Sequence, residues 1–588
     1  MRRWNFFKAA RPPMCPNAPA RRHDAACKSV MPVIRHRLPQ ESRMVMQSAR
    51  IEKEGRSGTP LSGMGVDGPY ARYTVAVLFL VYVFLQMDRN IVSILAEDVK
   101  HSFSLSDAQL GFLGGTSFAV FYAIFGYPIA RLADRWNRVR LLAIGLGLWS
   151  LMTALCGRAS SYAELSFYRM GVGIGESAGA PVGFSLISDW FSKTRRATAL
   201  GVFSAGLAIG AGLSLLLGGF VVSRWNEAFP ITKPLDLEGW RVAFIGFGAA
   251  GLALAAWLST LREPVRGQSD GIIVPTEDRV WGRLFQDLCG ILPPLTLYDA
   301  ARRGRAALAV NVAAAVIAGL AALLLVELSG DILQWTAIGI GYYAAFSAAQ
   351  SLRHHDRTTF DLTWGTPAFL FAMLGFGAAS MVSHITSFWM APLAVRTFAM
   401  DRASVGLILG LSSALGGAAG MIIGGRLSDT LLQRTPRGRI LVSVGAIVLP
   451  LPFVTVMCLT RNPTVFFSCF VPVSIISTAW VACGAATIQD LVLPRMRGTA
   501  TNVYFLVATL VGTGLGPYIV GKISVVTGSL SVAMLITLSS VIAIGVIFLW
   551  LCGRRIEQAE ASKDARAAAS NARQPSGRAA EGLGQDSV

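Results

Sequence analysis

Two charged residues stand inside one apolar run: Arg169 and Glu176, in the stretch Tyr168–Pro181, YRMGVGIGESAGAP. On a helix their spacing is about two turns, so both side chains share a face, roughly 10 Å apart along the axis. A second couple, Asp88 and Arg89, lies in another apolar run, FLQMDRNIVSIL. A charge at bilayer depth costs roughly 2.5–3.5 kcal/mol on insertion scales, so four unpaired ones cost on the order of 10 kcal/mol. They must pair or face a wet cavity. Permanent salt bridges that fix helix packing are the plainer reading. A functional site is favoured, because a structural contact can use apolar residues at lower cost. The chemistry open to this set is proton transfer. Glu176 is the first acceptor, its charge holding an arginine, either Arg169 or Arg89; Asp88 is the second. His384 is the one histidine well inside an apolar run. It can line the same cavity and titrate near neutral pH, or be a hydrogen-bonded packing residue. Trp389, Tyr122 and Tyr127 can touch a greasy substrate, although aromatics in membrane helices more often pack.

The elements that position these groups are membrane helices. The chain has 588 residues, 53% hydrophobic and 15% charged, where ordinary soluble chains are nearer a quarter charged. Many apolar runs reach the ~20 residues a helix needs to cross a bilayer. They are continuous rather than alternating, which excludes barrel strands. The predicted architecture is an all-α polytopic membrane protein of about fourteen spans, ordered six, two and six. A basic tail over residues 1–70, with ten arginines and eight prolines, is expected to be a disordered cytoplasmic extension. Met44, Met46 and Met64 lie closer to the first span and offer alternative starts. Residues 71–262 form a first six-helix unit. Residues 263–364 form a polar, basic linker with an amphipathic piece around Trp281–Leu288 and an inserted helical pair. Residues 365–552 form a second six-helix unit, and 553–588 an Ala-, Arg- and Gly-rich tail read as disordered. Gly171, Gly175 and Gly179 repeat every four residues on one face, the small-residue device that lets membrane helices approach closely. Gly512, Gly516 and Pro517 are read as packing and hinge positions.

The net charge of +19 sits largely in tails and in loops on one side. With the N-terminus in the cytoplasm, RLADRWNRVR, SKTRR, the 262–305 loop, RHHDR, LLQRTPRGR and PRMR all fall inside, while EDVKHSFSLSD and ELSGD fall outside. That is the positive-inside pattern. It places both termini in the cytoplasm, in the plasma (inner) membrane of a bacterium. The charge is a topology signal, so no nucleic-acid partner is expected. The eight cysteines form no CxxC and no metal-spaced cluster, so neither a metal site nor a disulfide framework is expected. No P-loop occurs and no strand precedes the glycines near Gly171, so no nucleotide cofactor is expected. There is no nucleophile motif, and the chain is not read as an enzyme.

The two six-span units repeat. Arg131-Leu-Ala-Asp134 follows the second span, and Arg426-Leu-Ser-Asp429 follows its counterpart. Asp189 precedes Arg196-Ala-Thr-Ala, and Asp490 precedes Arg497-Gly-Thr-Ala, with the same seven-residue step. Parallel repeats of this kind build one large transporter class, with the substrate site between the halves.

At these residues the chain resembles the major facilitator superfamily. The family signature Gly-x-x-x-Asp-Arg-x-Gly-Arg-Arg reads here Ala130-Arg-Leu-Ala-Asp134-Arg135-Trp-Asn137-Arg138-Val139. Asp134, Arg135 and Arg138 match; Ala130, Asn137 and Val139 depart. Asn137, Asp88-Arg89, Arg169 with Gly173-x-Gly175-Glu176, Gly425-Arg-Leu-Ser-Asp429, QDLVLPRMR ending at Arg497, and Gly512-x-Gly514-x-Gly516-Pro517 resemble the spinster-like branch. The resemblance covers about residues 72–262 and 365–552. It implies a proton-linked carrier that works as a monomer by alternating access, its cargo an amphipathic or organic anionic molecule or a lysolipid. It implies that Asp134, with Arg135 and Arg138, locks the cytoplasmic side; Asp189–Arg196, Asp490–Arg497 and Asp429 are read as companion gate residues. Protons, substrate and membrane lipids are the expected partners. Drug or metabolite efflux, a gradient-independent lipid scramblase and a transporter-like sensor are the alternatives.

Overall fold

The computed structural model describes residues 65–231, 233–270 and 280–572. The expectations for residues 1–64 and 573–588 lie outside them. Gly65 onwards forms one compact unit, and its elements are helical throughout. The first six-span unit comprises α1 (Pro69–Phe103), α2 (Asp107–Ala133), α3 (Arg138–Cys156), α4 (Tyr162–Glu176) with α5 (Gly179–Trp190), α6 (Lys193–Ala228) and α7 (Gly239–Ser259). The linker carries α8 (Val280–Cys289) and α9 (Leu295–Arg303), and the inserted pair is α10 (Arg305–Ser329) and α11 (Ile332–His355). After a short α12 (Arg357–Thr363) come α13 (Pro367–Phe398), α14 (Arg402–Leu432), α15 (Gly438–Leu459), α16 (Pro463–Asp490), α17 (Arg497–Thr527) and α18 (Leu530–Ala561), with α19 (Lys563–Ala572) last.

Twelve helices among the described residues are long and apolar enough to cross a membrane. The expected count was fourteen, and two spans account for the difference. The fourth is divided into α4 and α5 around Ser177–Ala178. Pro181, the third residue of α5, has no N–H to give the Ser177 carbonyl one turn back, which weakens the helix at the point where it divides. The other is α11, which is long enough but carries Gln334, Tyr342, Tyr343 and Ser347.

The break also corrects the glycine face. A methyl on Gly175 would stand 2.7 Å from the Gly145 carbonyl oxygen, so α4 lies directly on the α3 backbone. One on Gly171 would meet Met152 of α3, but one on Gly179 would meet Leu85 of α1. The three glycines therefore serve two neighbours. The C-terminal region is a second correction. Gly553–Ala561 continues α18, and α19 follows. Alanine is the strongest helix former, and Ile556, Ala559 and Ala567 pack into the core of the second unit. Ser570 Oγ donates to Asp361 Oδ2 at 2.7 Å, tying α19 to α12.

Within the units α1 packs on α6, α3 on α7, and α13 on α18. Three seams join the units: α6 on α14, α2 on α17, and α1 on α13. At the first, a methyl on Gly212 would stand 2.2 Å from the Gly410 carbonyl oxygen, and one on Gly410 2.5 Å from that of Gly212. Only glycine permits that crossing. At the second, α2 and α17 each contain a π-helical turn, Phe112–Thr116 and Thr509–Thr513. Such turns concentrate at functional sites. Thr116 Oγ1 donates across this seam to the Gly514 carbonyl.

Candidate functional site

Four helices bring the buried charges together. α1 supplies Asp88 and Arg89, α2 Phe118 and Tyr122, α3 Trp149 and Thr153, and α4 Arg169 and Glu176. Glu176 is the last residue of α4, where the helix dipole is negative and a carboxylate needs a cation. Arg89 provides it: Nε donates to Glu176 Oε2 at 2.6 Å, with the glutamate side chain 0% and the arginine 23% exposed. The guanidinium also lies over Phe118 and Tyr122, 4.8 and 4.6 Å from their ring centres. Of the two arginines expected to hold Glu176, the structure therefore brings Arg89 to it. Arg169 Nη1 instead donates to the Asp88 backbone carbonyl at 3.0 Å.

The cluster is not internally satisfied. Among the described residues, Glu176 Oε1 and Arg169 Nε are buried without a hydrogen-bond partner, while Trp149 and Thr153 stand within hydrogen-bonding reach of the Asp88 carboxylate. Unpaired buried polar atoms are expensive, and a set holding two carboxylates and two guanidiniums can take up or release a proton.

His384 comes from α13, in the other unit. Its Nδ1 lies 2.8 Å from the Ser380 carbonyl oxygen and its Nε2 3.0 Å from Thr513 Oγ1. The carbonyl makes Nδ1 the donor, so the neutral ring accepts at Nε2 from the threonine. The ring is half-buried and within electrostatic reach of Arg89. Ser387 Oγ donates to Asn90 Oδ1 at 2.9 Å across the same gap. Trp389 is fully buried and donates to the Pro517 carbonyl at 3.0 Å, which makes it a packing residue. A methyl on Gly512 would strike Ser380 and one on Gly516 Met381, so that glycine run seats α17 on α13. Tyr127 sits under the Arg131 guanidinium.

The end of the bundle at the α2–α3 connection holds the motif residues, and the key one is Arg138. Asn137, where the family signature has glycine, caps α3 by accepting from Arg140 N at 2.8 Å. That fixes Arg138 in the first helical turn, 2% exposed, where Nη1 donates to Asp189 Oδ2 at 2.5 Å and Nε to Glu263 Oε1 at 2.7 Å. Asp134 is different. It caps the C-terminus of α2, its carboxylate is exposed and makes no ion pair among the described residues, and Arg266 donates to its backbone carbonyl. Arg131 and Arg135 donate to Asp287 of α8, at 2.9 and 2.8 Å. The expected pairing of Asp189 with Arg196 is replaced by Asp189 with Arg138; Arg196 Nη2 donates to Ser269 Oγ at 2.9 Å. Asp490 likewise pairs with Arg439, while Arg497 is exposed. The separation is 51 residues in both pairs, so this ion pair is duplicated with the fold. Asp429 is exposed.

The other end, at the α1–α2 connection, carries a cluster that sequence reasoning missed. Arg396 of α13 donates to Glu97 at 2.8 Å and to both oxygens of Asp107 at 2.7 Å. Lys100 Nζ and Ser524 Oγ reach the same aspartate at 2.6 and 2.7 Å. Arg402 of α14 pairs with Asp98 at 2.8 Å. The available signal was charge complementarity: acids at the first interhelical turn of one unit, arginines at the first turn of the other.

Comparison with known proteins gives a consistent picture. A family model for the Major Facilitator Superfamily matches residues 78–517. An MFS-type efflux pump of Mycolicibacterium smegmatis is 26% identical over 82% of this chain and 92% of its own. Protein spinster homolog 1 of Bos taurus is 23% identical over 78% of this chain and 74% of its own. Among solved structures, a bacterial homolog of the human lysosomal transporter Spinster, inward-facing and occupied, superposes with a TM-score of 0.58. It is 24% identical and covers 84% of this chain and 97% of that one.

Proposed function

The chain belongs to the major facilitator superfamily, and we propose that, as a spinster-like member, it is a proton-coupled secondary transporter that moves an amphipathic or organic anionic molecule by alternating access. The observation that carries the reading is the Arg89–Glu176 pair at 2.6 Å, one partner fully buried and the other partly exposed. While Glu176 is ionised, it holds Arg89. When Glu176 takes a proton, the charge-assisted bond is lost, and a guanidinium between two aromatic faces becomes available to an anionic head group. Charge-assisted pairs are roughly twice as strong as neutral hydrogen bonds, so the proton state of one residue can set the affinity for cargo. Asp88, beside Arg169, is the second proton site. The α2–α3 end faces the cytoplasm in this reading, and residues 71–262 and 365–552 are the two rocking units.

Cargo is found first by a thermal-shift screen across lysolipids, aromatic acids and sugar acids. Uptake of the hit is then measured in proteoliposomes with and without a pH gradient. The expected result is gradient-driven uptake that Glu176→Gln abolishes while binding persists. Full gradient-driven uptake by Glu176→Gln would remove Glu176 as the coupling group. Efflux of a drug or metabolite is the second reading, favoured by the likeness to the Mycolicibacterium smegmatis MFS-type efflux pump over most of both chains.

A further inference from the structure

The inserted pair α10–α11 is asymmetric. In α10 only Asn311 is buried, and Val316, Ile317, Leu320, Leu323, Leu324 and Leu328 are exposed. α11, by contrast, is driven between the units. Its Ala337, Ile338, Ala344 and Ala345 share one apolar cluster with Val120 and Ile124 of α2 and with Leu506 and Leu510 of α17. A single position shows how tightly. A methyl on Gly341 would stand 2.9 Å from Leu510 Cδ2 and 3.3 Å from Val120 Cγ1, so this residue touches both units at one level. The pair is knit internally: Asn311 donates to Ser347 at 3.0 Å and Gln350 at 2.7 Å, and Tyr343 donates back to Asn311 at 2.6 Å. Its tip is fastened to α17 by polar contacts. Lys522 Nζ pairs with Asp331 Oδ2 at 2.8 Å, the Tyr518 hydroxyl donates to the same oxygen at 2.8 Å, and Trp335 packs edge-on against Tyr518. The opposite seam, α6 on α14, has no such insert and is closed by helix-to-helix contact at Gly212 and Gly410.

We propose that α10–α11 is a lateral seal, carried by the second unit through the Asp331–Lys522 anchor, that shuts the α2–α17 seam against bilayer lipid. An apolar wedge between two helices keeps acyl chains out only while it is held in register. A polar anchor at one end, at the turn between α10 and α11, does that without adding bulk to the seam. For the transporter reading above, on which this clause alone rests, a lipid-like cargo then reaches the cavity through the α6–α14 seam or an aqueous end.

The seal is testable without any cargo, so its failure and that of the transport reading are separable. The full chain is reconstituted in phosphatidylcholine vesicles containing a phosphatidylcholine with a diazirine in one acyl chain, then irradiated and mapped by peptide mass spectrometry. In the unmodified protein α10 is labelled and the Leu506–Leu510 segment is not. Asp331→Asn and Lys522→Gln are each expected to raise labelling of that segment at least fivefold, and Ile338→Ala, which thins the wedge and leaves the anchor intact, to raise it less. Trp149 in the core of the first unit reports unfolding and stays unlabelled if the fold is kept. A Leu506–Leu510 segment labelled as strongly as α10 in the unmodified protein overturns the proposal. So does labelling that none of the three variants changes.

Discussion

The two ends of the bundle are held by different kinds of contact. At the α1–α2 end the arginine ion pairs of α13 and α14 run between the units, Arg396 to Glu97 and Asp107 and Arg402 to Asp98, beside Lys100–Asp107 within the first unit. At the α2–α3 end those formed between described residues stay within a unit or reach the linker: Arg138 to Asp189 and Glu263, Arg131 and Arg135 to Asp287, and Arg439 to Asp490. One end is latched across the seam, and at the other each unit is braced against itself. A molecule that alternates must undo the first set in order to open there, whereas the second set travels with its own unit. In the alternating-access reading proposed above, the first set governs the equilibrium between states, and the second the stability of each unit.

That contrast can be broken from either side. The largest effect is expected from Arg138→Ala. Its guanidinium is 2% exposed, and removing one partner of a buried ion pair costs about 3–5 kcal/mol because the other charge is stranded. Here Asp189 and Glu263 would both be stranded. Unfolding of the detergent-solubilised protein should show the loss, and Arg138→Lys should recover less than half, because a point charge cannot serve both carboxylates, Ser185 and the Pro264 carbonyl at once. Full recovery by lysine would mean that the site needs only a positive charge. Next comes Asp107→Asn. Asp107 is 6% exposed and gathers Arg396, Lys100 and Ser524. The substitution should leave global stability nearly unchanged and shift the equilibrium toward opening of the α1–α2 end by about tenfold or more, the equivalent of about 1.4 kcal/mol. Spin labels at the exposed Ser104 and Thr527 would report it as a longer-distance population. An unaltered distance distribution, with stability lost instead, would make this cluster another internal brace.

Sequence legibility followed the same division. Helical class, the α8 helix and the closeness of Asp88, Arg89, Arg169 and Glu176 could be read, because each rests on local periodicity or on the rarity of charge in apolar runs. Partner choice could not. Arg89 and Arg169 are equivalent in composition; Arg169, two turns before Glu176 on the same helix, donates to the Asp88 carbonyl, and Arg89 reaches Glu176 from α1. The latch at Asp107 was hidden because Glu97, Asp98 and Asp107 occupy what reads as a polar loop; the structure carries α1 on to Phe103, and the arginines that justify it lie some 290 residues away. The helix beyond Gly553 was misread because its Ala-rich composition fits both disorder and helix, and packing on the second unit decides between them.

The duplicated pair offers the finest test, since fold and spacing are held constant while burial changes. Arg138–Asp189 and Arg439–Asp490 both span 51 residues and both link the start of a third span to the end of a fourth. The first has side chains 2% and 12% exposed; in the second they are 16% and 39% exposed. Exposed pairs contribute about 0.2–1 kcal/mol, because water already screens them. Arg439→Ala should therefore cost a small fraction of what Arg138→Ala costs, in the same unfolding assay, and its cost should shrink further in high salt while that of Arg138→Ala does not. Equal costs would show that the two ends of the repeat carry the same burden, and that Glu263, the extra carboxylate found only beside Arg138, contributes little. Unequal costs in the expected order would assign the difference to burial and to that linker residue, and so make the first unit the one whose bracing the linker controls.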